Sequence, residues 1–398
     1  MAAQPRVNRW LMAAAWGATV VFLVAYTAMR SVGQTTNGFI AYYGAARLFV
    51  EGRLGAWVYD DARFMAFVKD LTHTSVLEIY GPNSPAMALL AVPFAGFGPD
   101  GARTAWLAAS IAALVAAAAA VIADTWKREG ELPAAVVPLV LVTPSVIANL
   151  HNGQAYLFVT ALYAIAAVAL LRGRDVLAGA ALGLGFALKS AGLPLILLAL
   201  VQKRFRVAAS AGVVIVSAVM VVLSRSGLTM WRSYAAYVMN FVQRPSASVT
   251  ASQTTYSLVR RLCVQDPRWN PFPAASCGAA AGVLPAALFV AALAITIWMA
   301  RRAQAPDWLA AALCLCALDV PTAEDPHFAI LGIPLVLLFG RWRRRATARW
   351  WPWAVYSVLM FVPMAVTARR FTEGWSALLA YPRLYAAWWL WGMAVKGL

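Results

Sequence analysis

The sequence predicts an all-α integral membrane protein of about eleven to thirteen transmembrane helices, and three observations carry that reading. Hydrophobic residues make up 62% of the 398 and charged residues only 12%, about half the charged share of a soluble globular chain. Apolar runs recur along the whole length, and in hydrocarbon such runs become helices because each must satisfy its own backbone hydrogen bonds. Basic residues fall in short clusters between those runs, the pattern of cytoplasmic loops. The period-two alternation of a membrane β-barrel is absent.

Each element follows from this frame. Arg6 and Arg9 precede an apolar run over 10–30. The run is too long for a secretory signal and no small-residue cleavage site follows, so it reads as a retained first helix with its N-terminus inside. Further spans are expected at 103–124, 133–150, 154–171, 207–224, 278–300, 306–320, 327–340, 350–367 and 384–396. The cytoplasmic clusters are Arg6/Arg9, Arg172/Arg174, Lys203/Arg204/Arg206, Arg301/Arg302 and Arg341/Arg343/Arg344/Arg345. Between the second and third lie two short apolar halves, 176–188 and 191–201, each too short to cross alone. Their junction, Lys189-Ser190-Ala191-Gly192, is expected within or near the outer leaflet, where a broken helix lines a cavity. Residues 1–398 then form one polytopic domain with external loops at about 31–81, 225–277 and 368–383. The stretch 82–101 is broken by Pro82, Pro85, Pro93, Gly96, Gly98 and Pro99; it reads either as a short span or as a re-entrant segment, and the choice decides the side of Lys127 and Arg128.

The net charge of +17, with 33 Lys+Arg against 16 Asp+Glu, would suggest nucleic acid in a soluble chain. Here no continuous basic face can form, and the basic loops suit anionic lipid headgroups. Histidine occurs three times, at 73, 151 and 327, with no spacing that makes a zinc site; carboxylates could hold a divalent cation, but no spacing requires one. No GxGxxG or P-loop is present, which argues against a nucleotide-sugar on a Rossmann domain. Cys314 and Cys316 fall in an apolar span and read as small buried hydrophobes. Cys263 and Cys277 share an external loop at a spacing that permits a disulfide.

Three polar clusters interrupt the apolar chain at expected outer helix ends. The first runs from Thr36-Asn37-Gly38-Phe39 through Tyr42-Tyr43 to Arg47, with Tyr43, Ala46, Arg47 and Val50 on one helical face, as in an amphipathic segment lying at the interface. The second is Asn149-Leu150-His151-Asn152-Gly153-Gln154. The third is Asp319 to His327. Their convergence on one side, beside an intramembrane Lys189, favours a site over ordinary solvated loops.

The ordered set NGFIAYYGAARLFVEGRLGAWVYD, YGPNSPAMALLAVPF, NGQAYLFVTAL, RGRDVLAGAALGLGFALKSAGLPLILLALVQKRFR and VPTAEDPHFAILGIPLVLL resembles the family 87 glycosyltransferases, bacterial membrane enzymes of the GT-C type, over roughly residues 10–345. The resemblance implies a GT-C-like bundle with an amphipathic first external loop. It implies transfer of a mannose-like hexose from a polyprenyl-phosphate donor to a lipid or glycan acceptor, in the bacterial inner membrane with the site facing the periplasm or exterior. It also implies an acidic base in the first external loop, immediately before the aromatic that matches Phe39; this chain has Gly38 there.

Inverting glycosyl transfer needs a carboxylate to deprotonate the acceptor and donors or cations for the departing phosphate. For the base, Asp325 and Glu324 rank first and Asp60 and Asp61 next, with Asp325 equally suited to capping the following helix. Glu51, Asp70, Glu78, Asp266 and Glu373 complete the outer carboxylates, with Asp319 near a helix end. Lys189 is expected to meet the donor phosphate, with Arg47, Gln154 and His151 adding donors; Asn37, Tyr42, Tyr43, Asn152 and His327 are expected to contact sugar or acceptor. Two rival readings are a transporter or lipid flippase, which should show polar groups near the midplane of several helices and matched halves, and a GT-C relative that has lost catalysis and acts as a partner.

Overall fold

The computed structural model describes residues 9–32, 34, 36–76, 78–130, 132–190, 192–244, 248–303, 305–318, 322–343, 350–363 and 372–397. Arg6, Asp319, Arg344 and Arg345, Ala191 of the broken-helix junction, and the beginning of the 368–383 loop lie outside them.

The chain is an all-α membrane protein whose helices run back and forth between two ends. α1 (Arg9–Arg30) leads from the first end to the second. There the chain makes a long excursion containing α2 (Phe39–Val50), α3 (Asp61–Thr72) and α4 (Met87–Ala91), and α5 (Pro99–Glu129) returns. Residues 82–101 therefore contribute a short helix and turns, and the span considered for them is not formed: Pro85 and Pro93 stop helix extension on either side of α4. α6 (Val136–Leu141) and α7 (Pro144–Asn152) together make the pass expected as one helix over 133–150. Pro144 sets the break, and the Thr143 hydroxyl caps α7 by accepting from the Val146 amide. α8 (Tyr156–Leu171) returns, and α9 (Asp175–Lys189) and α10 (Leu193–Val201) form the two short halves around Lys189.

α11 (Phe205–Gln243) crosses and then turns at Gly227, whose φ of 73° and ψ of 167° break the helix, so its last part lies at the second end. α12 (Thr255–Cys263) is also there. α13 (Ala280–Ala300), α14 (Ala305–Leu318), a 3₁₀ turn over Asp325–Leu331 continuing into α15 (Gly332–Arg343), α16 (Trp351–Phe361) and α17 (Pro382–Val395) complete about a dozen passes. α1, α5, α11 and α13 are each long and apolar enough to cross a membrane unaided.

Charge separates the two ends. At the first, Asp124 holds both Arg128 and Arg172, each at 2.8 Å, Arg204 meets Asp175, and Arg341 meets Asp307 at 2.8 Å. Met12 and Trp16 of α1 line one cleft with Trp126 and Lys127, which fixes Lys127 and Arg128 on the side of Arg9. The described basic clusters thus share one end, and the polar islands share the other.

Two features position the second end. First, α9 and α11 pack closely because Gly179 and Gly183 carry no side chain: a Cβ at Gly179 would lie 2.2 Å from the Val207 carbonyl oxygen, and one at Gly183 2.5 Å from that of Ala211. This is the small-residue packing that lets membrane helices approach backbone to backbone. Second, α2 is buried on almost every side, from Phe39 to Ala46 and again at Leu48 and Phe49. It is not the interfacial segment expected from the Tyr43, Ala46, Arg47 and Val50 face. The amphipathic helix of this excursion is α3, which buries Phe64 and Val68 and exposes Arg63 and Asp70.

Candidate functional site

Lys189 sits in the last turn of α9, where the helix carbonyls favour a cation. The chain leaves the helix through Ser190 in the left-handed region, φ 52°. The Lys189 ammonium donates to the Tyr42 hydroxyl at 2.9 Å and to the Asn83 side-chain oxygen at 2.7 Å. It lies 4.8 Å from the centre of the Tyr42 ring and 4.7 Å from that of Tyr156, within cation–π range. Tyr42 passes the chain of bonds on by donating to Gln154 Oε1 at 2.6 Å. A small cavity beside the ammonium is lined by Tyr156, Thr160, Tyr163, Cys316, His327 and Ile330, among others. The His327 ring lies against Tyr156, centroids 3.8 Å apart, with Nε2 hydrogen-bonded to the tyrosine hydroxyl.

Two carboxylates stand in the field of this cation without closing an ion pair with it among the described residues. Glu324 caps the Asp325–Leu331 turn: its side chain accepts the His327 amide while its own amide donates to His327 Nδ1 at 3.1 Å. Glu78 lies on the irregular stretch before α4. One oxygen accepts the Ile79 amide at 2.9 Å and the other the Gly38 amide. Enclosure by protein holds both carboxyls above the usual range; the two amides and the Lys189 charge oppose this at Glu78, and the Lys189 charge opposes it at Glu324.

The other expected residues separate clearly. Asp325 accepts from Arg383 Nε at 2.7 Å and from Ser145 Oγ at 2.6 Å in a buried polar knot. Arg383 also donates to the Leu359 and Val362 carbonyls. Asp60 caps α3 by accepting from the Ala62 and Arg63 amides, each at 3.1 Å. Asp61 accepts from Tyr237 at 3.0 Å and from Arg244 at 3.4 Å. Arg47 is engaged by Glu51 at 3.2 Å, toward the far end of α2 from Gly38. Tyr43 is buried and donates to the Phe97 carbonyl at 2.7 Å. The His151 side chain is exposed; its carbonyl, with that of Leu150, accepts from Arg103. Asn37 is exposed and Asn152 half-buried beside the cluster, and the Asn152 carbonyl faces Gly38. Cys263 and Cys277 are bridged, Cα atoms 5.2 Å apart.

The structure therefore gathers Lys189, Tyr42, Gln154, His327 and Glu324, and keeps Asp325, Asp60, Asp61, Arg47 and Tyr43 in other contacts. It adds Asn83, Tyr156 and Glu78. The first two fall within the YGPNSP and NGQAYLF segments, whose polar residues marked them for attention; Glu78 has no periodicity or motif around it.

At Gly38, where the resemblance leads to an acid, the backbone holds φ at 83°. A Cβ there would lie 2.6 Å from Gln154 Nε2 and 3.0 Å from the Asn152 carbonyl oxygen. The position has neither the conformation nor the room for a side chain, and its amide faces the Glu78 carboxylate instead.

No curated protein matches this chain, and no solved structure does. The family model of glycosyltransferase family 87 matches residues 82–321, a stretch that includes Asn83, Gln154, Tyr156 and Lys189 of the cluster. With well over half the chain covered, the protein belongs to glycosyltransferase family 87 and is a membrane glycosyltransferase.

Proposed function

We propose that the chain transfers a mannose-like hexose from a polyprenyl-phosphate donor to a lipid or glycan acceptor, at the end of the bundle remote from Arg9. The observation that carries this reading is the Lys189 ammonium, held among aromatic rings and, among the described residues, with neutral hydrogen-bond partners only. An intramembrane cation is costly unless it meets an anion, and a lipid-borne phosphate entering from the bilayer supplies one. The basic clusters at the opposite end support a periplasmic or external placement of the site by the positive-inside rule.

In this reading the acceptor oxygen attacks the anomeric carbon with inversion. The C–O bond to phosphate breaks and the phosphate oxygen keeps the electron pair. Lys189, oriented by the Tyr42 hydroxyl that accepts from it and donates to Gln154, stabilises the charge that develops there. A carboxylate in the field of Lys189, Glu324 or Glu78, receives the acceptor proton. Sugar and acceptor hydroxyls are met by Asn83, Tyr156, His327 and Asn152. A flippase or transporter is less well supported, since the polar groups collect at one end.

The test is release of polyprenyl phosphate from polyprenyl-phosphate hexoses by the purified protein in proteoliposomes. The wild type is expected to release it in the presence of an acceptor, and Lys189→Met to lose at least about 100-fold. A wild type that moves the donor lipid between leaflets without releasing phosphate, or a Lys189→Met protein with full turnover, sinks the proposal.

A further inference from the structure

We infer that Glu78 is the carboxylate that takes the proton from the acceptor hydroxyl. The inference rests on the transferase reading above and goes beyond it by choosing between the two acids.

Availability makes the choice. The outer carboxylates for which the structure shows ion pairs or capping bonds are committed elsewhere: Glu51 to Arg47 and Arg53, Asp61 to Arg244, Asp325 to Arg383, Asp60 to the start of α3 and Asp266 to the Arg268 and Trp269 amides. Glu324 is fixed by a two-way exchange with His327, in which its side chain and its own amide both take part. Glu78 lies on an irregular stretch and has, among the described residues, no return bond of this kind: its partners are the amides of Ile79 and, at the start of α2, Gly38. Its oxygens each accept one backbone amide, leaving a lone pair on each.

The surroundings place this carboxylate beside the cluster. The Gly38 amide that holds it begins α2, the helix that carries Tyr42 one turn on. The bare α-carbon of Gly38 faces the Gln154 side chain and the Asn152 carbonyl, and Gln154 is the residue bonded to Tyr42. Glu78 is thus held at the residue that abuts the Asn152–Gln154 turn, and from Gln154 the bonds run through Tyr42 to the Lys189 ammonium. Acid and cation feel each other's charge without closing an ion pair among the described residues. In the step, the acceptor oxygen bonds to the anomeric carbon as the carbon–phosphate oxygen bond breaks. The leaving oxygen takes the pair beside Lys189, and the acceptor proton passes to Glu78.

Azide separates a base from a merely positioning group, because it attacks as an anion and has no proton to lose. The experiment supplies purified wild type, Glu78→Ala, Glu78→Gln and Glu324→Gln in proteoliposomes with polyprenyl-phosphate hexoses, using either an octyl hexoside or sodium azide as acceptor. Folding is read in parallel from the heat-induced reactivity of the buried thiols Cys314 and Cys316. Expected is a loss of about 10²–10⁴-fold in transfer to the octyl hexoside for both Glu78 variants, with glycosyl azide of inverted configuration still formed. Glu78→Gln keeps the side-chain volume, so it carries the test if the alanine variant unfolds early. Transfer to the hexoside within threefold of wild type in either folded Glu78 variant overturns the inference. So does equal loss with azide and hexoside, or the azide-sparing pattern appearing in Glu324→Gln instead. A wild type silent toward both acceptors overturns the transferase reading itself, and this role with it.

Discussion

Replacing Asp325 with alanine should unfold the protein far more readily than it impairs any chemical step. The Arg383 guanidinium is fully buried, and Asp325 is the carboxylate it meets, at 2.7 Å. Removing it strands a charge in the interior and strips Ser145 Oγ of its acceptor. Breaking a buried pair in this way costs roughly 3–5 kcal/mol. The Leu359 and Val362 carbonyls still accept from Arg383, at 2.7 and 3.0 Å, which places the expectation near the lower figure. Arg383→Met leaves a lone carboxylate and should cost about as much. The pair Asp325→Leu with Arg383→Met buries no charge and should recover a coupling of about 1–3 kcal/mol. The assay follows maleimide labelling of Cys314 and Cys316 during heating in detergent micelles; Cys263 and Cys277 are bridged and stay silent. An Asp325→Ala protein that melts with the wild type yet has lost turnover would refute this assignment and return Asp325 to the chemistry. A double variant no more stable than either single one would refute the pairwise account.

Three further outcomes follow from other contacts. Gly38→Asp should not supply a working base: it strains a backbone at φ 83° and drives a Cβ into Gln154, so turnover should fall at least tenfold with melting lowered by about 1–2 kcal/mol, read by the same labelling assay. Reduction of the Cys263–Cys277 bridge releases a loop with a sequence separation of 14 and should cost about 3 kcal/mol, seen as new protease cleavage between the two cysteines. The third concerns pH. Burial raises the Glu78 carboxyl, so the folded chain keeps this proton to higher pH than the unfolded one. Its stabilising contribution is present below the unfolded value, about 4.3, and is lost as pH rises through the folded value. Transfer to a hydroxyl acceptor should climb over that same window, and a rate profile lacking this limb in Glu78→Gln but showing it in wild type is the expected result.

The parts that could be read in advance were those whose meaning is local. A lysine between two apolar halves has few explanations, and Lys189 lies where α9 ends and α10 is about to begin. The basic clusters announced their common end for the same reason. The excursion after α1 was harder. Gly44, Ala45 and Ala46 are as compatible with burial on all sides as with an interfacial face, and only the packing of α3, α4 and α5 around them decides. The candidate acids were ranked by neighbourhood in sequence, whereas their fates are set at long range. Asp325 is claimed by an arginine 58 positions away, and Glu78 is held by an amide 40 positions away. The span over 133–150 was read as one helix because its apolar run continues through Thr143-Pro144, where a cap and a proline interrupt the geometry but barely the hydropathy.

The contact between α9 and α11 has a consequence for how the recess keeps its shape. Gly183 stands six residues before Lys189, about 9 Å along the helix, and its α-carbon rests on the Ala211 main chain. The longitudinal setting of α9 is therefore fixed by a seam with no slack, and the ammonium inherits that setting. An added methyl group at Gly183 would wedge the two backbones apart and carry the charge away from Tyr42 and Asn83, though nothing in the recess had been altered. Precision at the charged tip is thus maintained by two hydrogen atoms in the packed seam between two helices.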